Sequence, residues 1–437
     1  MNKPILLSAV ATLLLSLSTA LHAQLDTTEQ QMVAHIDATN EDALQLMIRT
    51  ININSGTMNF DGVREVSAVL RQEFDALGFE TSWVDGAPFN RAGHLVAELH
   101  NETEGPKLLL IGHLDTVFEP DSPFQTFALL DDNTATGPGI ADMKGGNVII
   151  LQALSALKAV GMLEHMDITV VLTGDEELSG SPRELGKKAL IDAAMYADIA
   201  IGFENGDGDP RTANISRRGS SGWTLNVTGK PSHSSQIFRE DIGPGAIFET
   251  ARILMFFYQD LQQEENLTFN PGRIIGGTTV SMDGEESAGT AFGKNNVVAE
   301  SAMVTGDMRA VSLEQLERVR ARMREIVADN FTHTSATITF SDGYPPLAST
   351  PGNARLLDIY SEASQDLGLG VVTAVNPRLA GAADISFTAG HVDMAIDGLG
   401  MSGTAGHTVD ETGFLDALPK QSKRAALLMY RLYSDIH

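Results

Sequence analysis

The 437-residue sequence contains no cysteine. That absence removes disulfides, thiolate nucleophiles and thiolate metal ligands together, so any metal must be held by His, Asp and Glu. Basic residues are scarce. Lys and Arg number 30 against 57 Asp and Glu, a net charge of −27. A surface of that sign repels phosphate backbones and anionic lipid, which excludes nucleic acid and membrane surfaces as partners. Long apolar runs are missing as well, except at the start. There Lys3 precedes a mostly apolar run over residues 5–17, and small residues follow at Ser18, Ala20 and Ala23. This pattern reads as a secretory signal peptide over residues 1–23, cleaved after Ala20 or Ala23, because the run is short for a membrane span. The mature protein is expected to be secreted or periplasmic, with no membrane contact after cleavage.

What is present is ordinary for a globular protein: 43% apolar and 20% charged residues. The length exceeds what one core normally serves, so two domains are expected. Residues 108–112 read as a buried strand, and His113 and Asp115 follow at once. Residues 168–172 and 198–203 repeat the arrangement, ending in Asp175-Glu176-Glu177 and in Glu204. Helical periodicity over residues 28–50 and 62–77 precedes these strands, and over 147–160 it falls between the first two. Strand–helix alternation predicts a largely parallel sheet with its functional groups along one edge. Beyond Arg211 the order becomes strand 221–228, helix 245–261, strands 273–282 and 296–308, helix 313–328 and strand 336–340. That is the ferredoxin-like α+β order. A helix over 353–367, a strand over 392–399, a glycine-rich loop ending at His407 and a helix over 414–434 complete the chain.

Adjacent Glu176 and Glu177 would repel unless a cation lies among them or one carboxyl is protonated. A solvated acidic turn is the alternative. With His113, Asp115, Asp142, Glu204 and His407 also at strand ends or in glycine-rich loops, the donor set suits two Zn²⁺ ions. Two such ions can share a carboxylate, polarise a carbonyl and acidify a bridging water. A glutamate left free of metal could take that water's proton.

The segments Gly112-His-Leu-Asp-Thr-Val117, Gly139-Ile-Ala-Asp-Met-Lys-Gly-Gly146, Gly174-Asp-Glu-Glu177 and Gly406-His407 carry a resemblance. Together they resemble the co-catalytic di-zinc metallopeptidases and amidohydrolases of peptidase clan MH. That family includes glutamate carboxypeptidases, acetylornithine deacetylase, succinyl-diaminopimelate desuccinylase and the aminoacylases. The resemblance spans essentially the whole mature chain. It implies an α/β, zinc-peptidase-like catalytic domain, its mixed, largely parallel sheet sandwiched by helices, with an inserted ferredoxin-like lid and dimerisation domain. The expected division is 24–210 and 343–437 for the catalytic domain and 211–342 for the lid.

Carried over by position, the resemblance implies two Zn²⁺ per subunit, with Co²⁺ or Mn²⁺ as substitutes. Asp142 would bridge them, His113 and Glu204 completing one shell, Glu177 and His407 the other. Glu176 would be the general base, and Asp115 would hydrogen-bond the His113 ring. The peptide bond after Asp142 would be cis. His233, in Gly229-Lys-Pro-Ser-His-Ser, would donate to the oxyanion in the partner subunit of a homodimer formed through the lid. Asn296 and Arg309 would bind the substrate carboxylate, although Arg309 could instead pair with a lid carboxylate. Two departures stand out. Tyr344 occupies the place of an arginine in glutamate carboxypeptidases, leaving Arg217, Arg218 or Arg378 as substitutes, and Gly381-Ala-Ala-Asp384 differs from the usual Gly-Gly-(Thr/Ser)-Asp.

The expected function is a zinc-dependent exopeptidase of carboxypeptidase type, hydrolysing small peptides or N-acyl amino acids through a metal-bridging water. The alternatives are an N-acyl amino acid deacylase without a peptidase role and an inactive metal- or ligand-binding periplasmic protein. Glu176 stands against the last, since a binding protein has no need of an unligated base.

Overall fold

Leu108, Leu109, Leu110 and Ile111 are all buried, and their side chains alternate between two separate cores, as strand geometry requires. A computed structural model, which describes residues 25–283 and 288–434, places this strand inside a six-stranded sheet. The signal-peptide expectation, 1–23, lies outside the described residues. The sheet order is Glu80–Asp85, Gly93–Leu99, Asp167–Thr173, Lys107–His113, Ile199–Gly202 and Met394–Ile396. The last four run parallel, while the first two pair antiparallel, so the sheet is mixed.

Helices Thr27–Ile51, Gly145–Ala159 and Ala417–Ser434 pack against one another around the core that takes Leu108 and Leu110. The opposite face takes Leu109 and Ile111 with Leu190 and Ala194 of helix Lys188–Tyr196. Each leucine or isoleucine side chain fully buried in this way stabilises the fold by roughly 1.5–3 kcal/mol. Local signals set the helix ends. Asp26 and Glu29 form a reciprocal capping box before the first helix, and helix Phe60–Leu77 stops where Gly78 turns left-handed at φ 103°.

The second module has its own core, built on Trp223, Leu225, Val227, Phe257, Val304 and Met323. Its four strands lie in the order Thr268–Gly277, Ser301–Arg309, Ser221–Gly229 and Thr334–Asp342, all antiparallel. Helices Gly245–Leu261 and Leu313–Ala328 complete the ferredoxin-like order. Two details depart from the sequence reading. The strand expected over 273–282 ends at Gly277, and Thr279–Asp283 pairs with Ala288–Phe292 as a separate hairpin. Asn296 precedes its strand, which begins at Ser301.

A small sheet of Gly403–Thr404, Thr412–Phe414, Thr134–Thr136 and Ala128–Leu129 sits beside the first core. It sets the loop around His407 next to the loop that carries Asp142.

Candidate active site

Parallel register brings the acidic and imidazole groups to one edge. His113 lies opposite Thr173, and Ile111 lies opposite Gly202. Glu204, two residues past Gly202, therefore comes level with His113, while Glu176 and Glu177 follow Thr173 through a turn. Asp142 stands just before helix Gly145–Ala159, whose N-terminal dipole favours a negative charge. The helix approaches closely because Gly112 lacks a side chain. A Cβ there would lie 2.4 Å from Asn147 Oδ1, and Asn147 Nδ2 donates to the His113 carbonyl at 2.6 Å. The peptide bond Asp142–Met143 is cis, as the resemblance implies.

The two oxygens of Asp142 face different imidazoles. Oδ1 lies 3.1 Å from His113 Nε2, and Oδ2 lies 3.0 Å from His407 Nε2. Each imidazole has a glutamate too: His113 Nε2 is 3.4 Å from Glu204 Oε1, and His407 Nε2 is 3.1 Å from Glu177 Oε2. Ligands about 2.0–2.1 Å from one tetrahedral Zn²⁺ stand roughly 3.3 Å apart, so these spacings fit two neighbouring cations sharing Asp142. Ligand atoms of Glu176, His113 and Glu204 also lie within 4.8 Å of one another. Among the described residues, however, the Glu176 carboxyl has no imidazole partner within hydrogen-bond reach.

The electrostatics point the same way. Burial pushes Glu204 up to about 7, reinforced by the Asp142 charge and offset by His113. Burial also raises Glu176 well above the usual carboxylate range, helped by Glu204. Burial opposes the ionisation of Asp142, but hydrogen bonds to both imidazoles prevail and hold its carboxyl low. His407 is lifted to about 11 by its bonds to Asp142 and Glu177. Burial works against protonation of His113, yet Glu204, Asp115 and Asp142 raise it well above 6.5. Carboxylates crowded in this way, with protons drawn onto the imidazoles, form a site with the charge to hold divalent cations.

The model for peptidase family M20/M25/M40 matches residues 109–431. The chain belongs to that family. It is by that membership a hydrolase of peptide or other amide bonds. It is 27% identical over 405 residues to carboxypeptidase G2 of Pseudomonas sp. (strain RS-16), covering 90% of this chain and 91% of that protein. It is also 27% identical to the succinyl-diaminopimelate desuccinylase of Acidiphilium cryptum, covering 90% and 97%. The fold is similar to aminopeptidase PepT of Bacillus cereus, with a TM-score of 0.71 at 19% identity, over 90% of this chain and 98% of that one. Bacillus subtilis YXEP, described as a dinuclear metal-binding peptidase, superposes with a TM-score of 0.62 at 16% identity, over 91% and 99%.

Around the shared centre, the M20/M25/M40 chain uses residues that sequence reasoning assigned differently or missed. The His113 ring meets Asp115 through its main chain, Nδ1 to the backbone oxygen at 2.9 Å, with carboxylate Oδ1 at 3.5 Å. That carboxylate instead accepts the N–H groups of Glu176 and Glu177, both at 3.2 Å, and the Thr57 hydroxyl at 2.7 Å. The expected ring bond thus comes mainly from the carbonyl, because the Glu176–Glu177 turn presents donors better placed for the carboxylate. Tyr344 donates its hydroxyl to the Glu176 carbonyl at 2.9 Å, so it serves the turn. Arg217 is committed to Asp397 in a buried pair at 2.7 Å, and Asp397 Oδ1 accepts the Glu204 N–H at 3.3 Å. Beneath the turn, Lys187 lies between Asp175 at 2.7 Å and Asp384 at 2.8 Å, all three buried. Glu411 is fully buried and accepts N–H groups from Gly139, Ala141 and Asp142. No local pattern marks these groups, since most of their partners are distant in sequence.

The three lid residues are not joined to this cluster by any hydrogen bond or ion pair among the described residues. His233 is exposed, its Nδ1 2.8 Å from Ser235 Oγ, and it bridges to Val297 beside Asn296. The Asn296 carbonyl accepts the Ser234 N–H at 2.8 Å, so His233 and Asn296 share one corner of the lid. Arg309 lies 3.5 Å from Asp307, the lid-carboxylate pairing allowed for above. It also faces Arg218, whose guanidinium is pushed down by burial and then by the charges of Arg309 and Arg378.

Proposed function

We propose that this chain is a metal-dependent exopeptidase of carboxypeptidase type, releasing a C-terminal amino acid from small peptides or N-acyl amino acids. The observation that carries the reading is Asp142 with one imidazole and one glutamate on each side, and Glu176 beside them without an imidazole partner. His113, Asp142 and Glu204 would hold one Zn²⁺, and His407, Asp142 and Glu177 the other. Bound there, the ions would supply Lewis-acid polarisation of the amide carbonyl and a water of lowered pKa.

The chain's own residues do the rest. Glu176 takes the proton of the attacking water and later delivers it to the leaving nitrogen, a task suited to a carboxyl whose pKa burial has raised. Asp115 and Tyr344 keep its turn in place. Arg309 and Asn296 bind the substrate carboxylate. His233 of the partner subunit donates to the developing oxyanion.

That last role requires a homodimer through the lid. The lid's edge strand, Thr268–Gly277, and helix Gly245–Leu261 expose Ile274, Ile247, Phe248 and Tyr258. A secreted or periplasmic location completes the proposal and rests on residues 1–23.

A panel of N-blocked dipeptides and N-acetyl amino acids, assayed with metal analysis before and after chelation, tests the reading. Release of the C-terminal residue, lost on chelation and restored by Zn²⁺, is the expected result. The desuccinylase relative, equal to the carboxypeptidase in percentage identity, favours an N-acyl amino acid deacylase as the second reading. Turnover of acyl amino acids without dipeptides would select it.

A further inference from the structure

We infer that Glu411 is a positioning residue that locks the His407 loop onto the Asp142 loop and thereby builds one of the two cation positions in particular. The inference rests on the two-cation reading above. Glu411 and His407 lie four residues apart on the loop between strands Gly403–Thr404 and Thr412–Phe414. One end of this short segment offers an imidazole to the Asp142 carboxylate, with Nε2 3.0 Å from Oδ2. The other end grips the Asp142 main chain. Glu411 Oε1 accepts the N–H groups of Ala141 at 2.9 Å and Asp142 at 3.1 Å, and Oε2 accepts that of Gly139 at 3.1 Å. The Glu411 carbonyl also accepts the Thr136 hydroxyl at 2.6 Å.

Three converging donors require an acceptor-only group. An amide at the same place would turn its own N–H bonds toward at least one of them. Glu411 and its bonds to Gly139 and Ala141 are buried, so water cannot replace them cheaply. His113 and Glu204 are placed otherwise, by parallel strands and by the bonds from Asn147 and to Asp397. Glu411 therefore acts on the position made by His407, Glu177 and Asp142 Oδ2, and much less on the one made by His113, Glu204 and Asp142 Oδ1.

The test is stepwise loading of metal-free wild type and E411Q with Zn²⁺ by equilibrium dialysis, and with Co²⁺ followed by its absorption spectrum. Circular dichroism checks the fold. In E411Q the first equivalent should bind as in wild type, and the second about 10–100-fold more weakly with an altered cobalt spectrum. Equal binding of both equivalents by wild type and variant would overturn the inference. Failure of wild type to take up two equivalents would overturn the two-cation reading itself. If E411Q does not fold, hydrogen exchange on wild type decides. The amides of Ala141 and Asp142 should become more protected with the second equivalent, and insensitivity to it would refute the role.

Discussion

Asp115 holds Glu176 by its main chain, its Oδ1 accepting the Glu176 N–H at 3.2 Å. The Glu176 side chain is left to do chemistry, while its backbone is fixed by Asp115 on one side and Tyr344 on the other. Substituting the side chain should therefore leave the turn intact. Glu176→Gln is expected to lower kcat by about 10²–10⁴-fold, the range for loss of a general base, with unchanged metal content. A variant that keeps both its metal and its rate would remove Glu176 from the mechanism.

Proton release should accompany metal uptake. In the metal-free protein His407 is raised to about 11, which keeps it protonated near neutrality, and the carboxylates around His113 push it in the same direction. Only neutral imidazole can ligate. Apparent affinity should rise with pH, about tenfold per unit for each proton displaced, and calorimetric heats should vary with the buffer's ionisation enthalpy. For the metal-free fold the sign is opposite. The stability contributed by protonated His407 is complete below 6.5 and is lost as pH rises through about 11. Metal binding that releases no protons would contradict the charge state assigned here.

Lys187 is shared between two buried carboxylates, Asp175 and Asp384. Lys187→Met leaves both without their cation and should cost about 3–5 kcal/mol of stability, read from the denaturation midpoint. A loss under about 1 kcal/mol would mean that the carboxylates find other compensation.

The lid surface can be tested by placing charge on the exposed edge strand. Ile274→Asp should convert a dimer to monomers in sedimentation analysis, because a charge on an exposed edge strand opposes its pairing with a second copy. If His233 serves the neighbouring subunit, kcat should fall with dissociation. A fully active monomer would place the oxyanion donor elsewhere.

The parts of the site that the sequence revealed are those where chemistry and local pattern coincide. Leu108 to Ile111 announce a buried strand, and His113 follows at its end, as Glu204 follows Phe203. Asp142 and His407 were legible through their glycine-rich surroundings and the family resemblance. Glu411 was not, because its partners lie 269 to 272 positions away and a lone glutamate in a loop is ordinarily solvated. Asp397 escaped notice for the same reason, its Arg217 partner lying 180 positions away, and Lys187 because a lysine at the start of a helix is ordinarily solvated. In the hairpin, Thr279–Asp283 alternates and so reads as a continuation of the strand before it, while Ala288–Phe292 is exposed along its whole length and carries no alternation of apolar and polar residues. Asp115 shows a subtler limit. Its place beside His113 was evident, but which of its oxygens meets the ring depends on the competing N–H groups of a turn more than sixty residues on.

Asp142 faces one imidazole 29 positions earlier in the chain and another 265 positions later. Ions seated on either side of it would act as rivets through the whole catalytic body, joining its first strands to its last loop. Uptake energy then becomes folding energy. The stripped protein should melt earlier and yield sooner to proteolysis, so its working lifetime would follow the supply of metal around it.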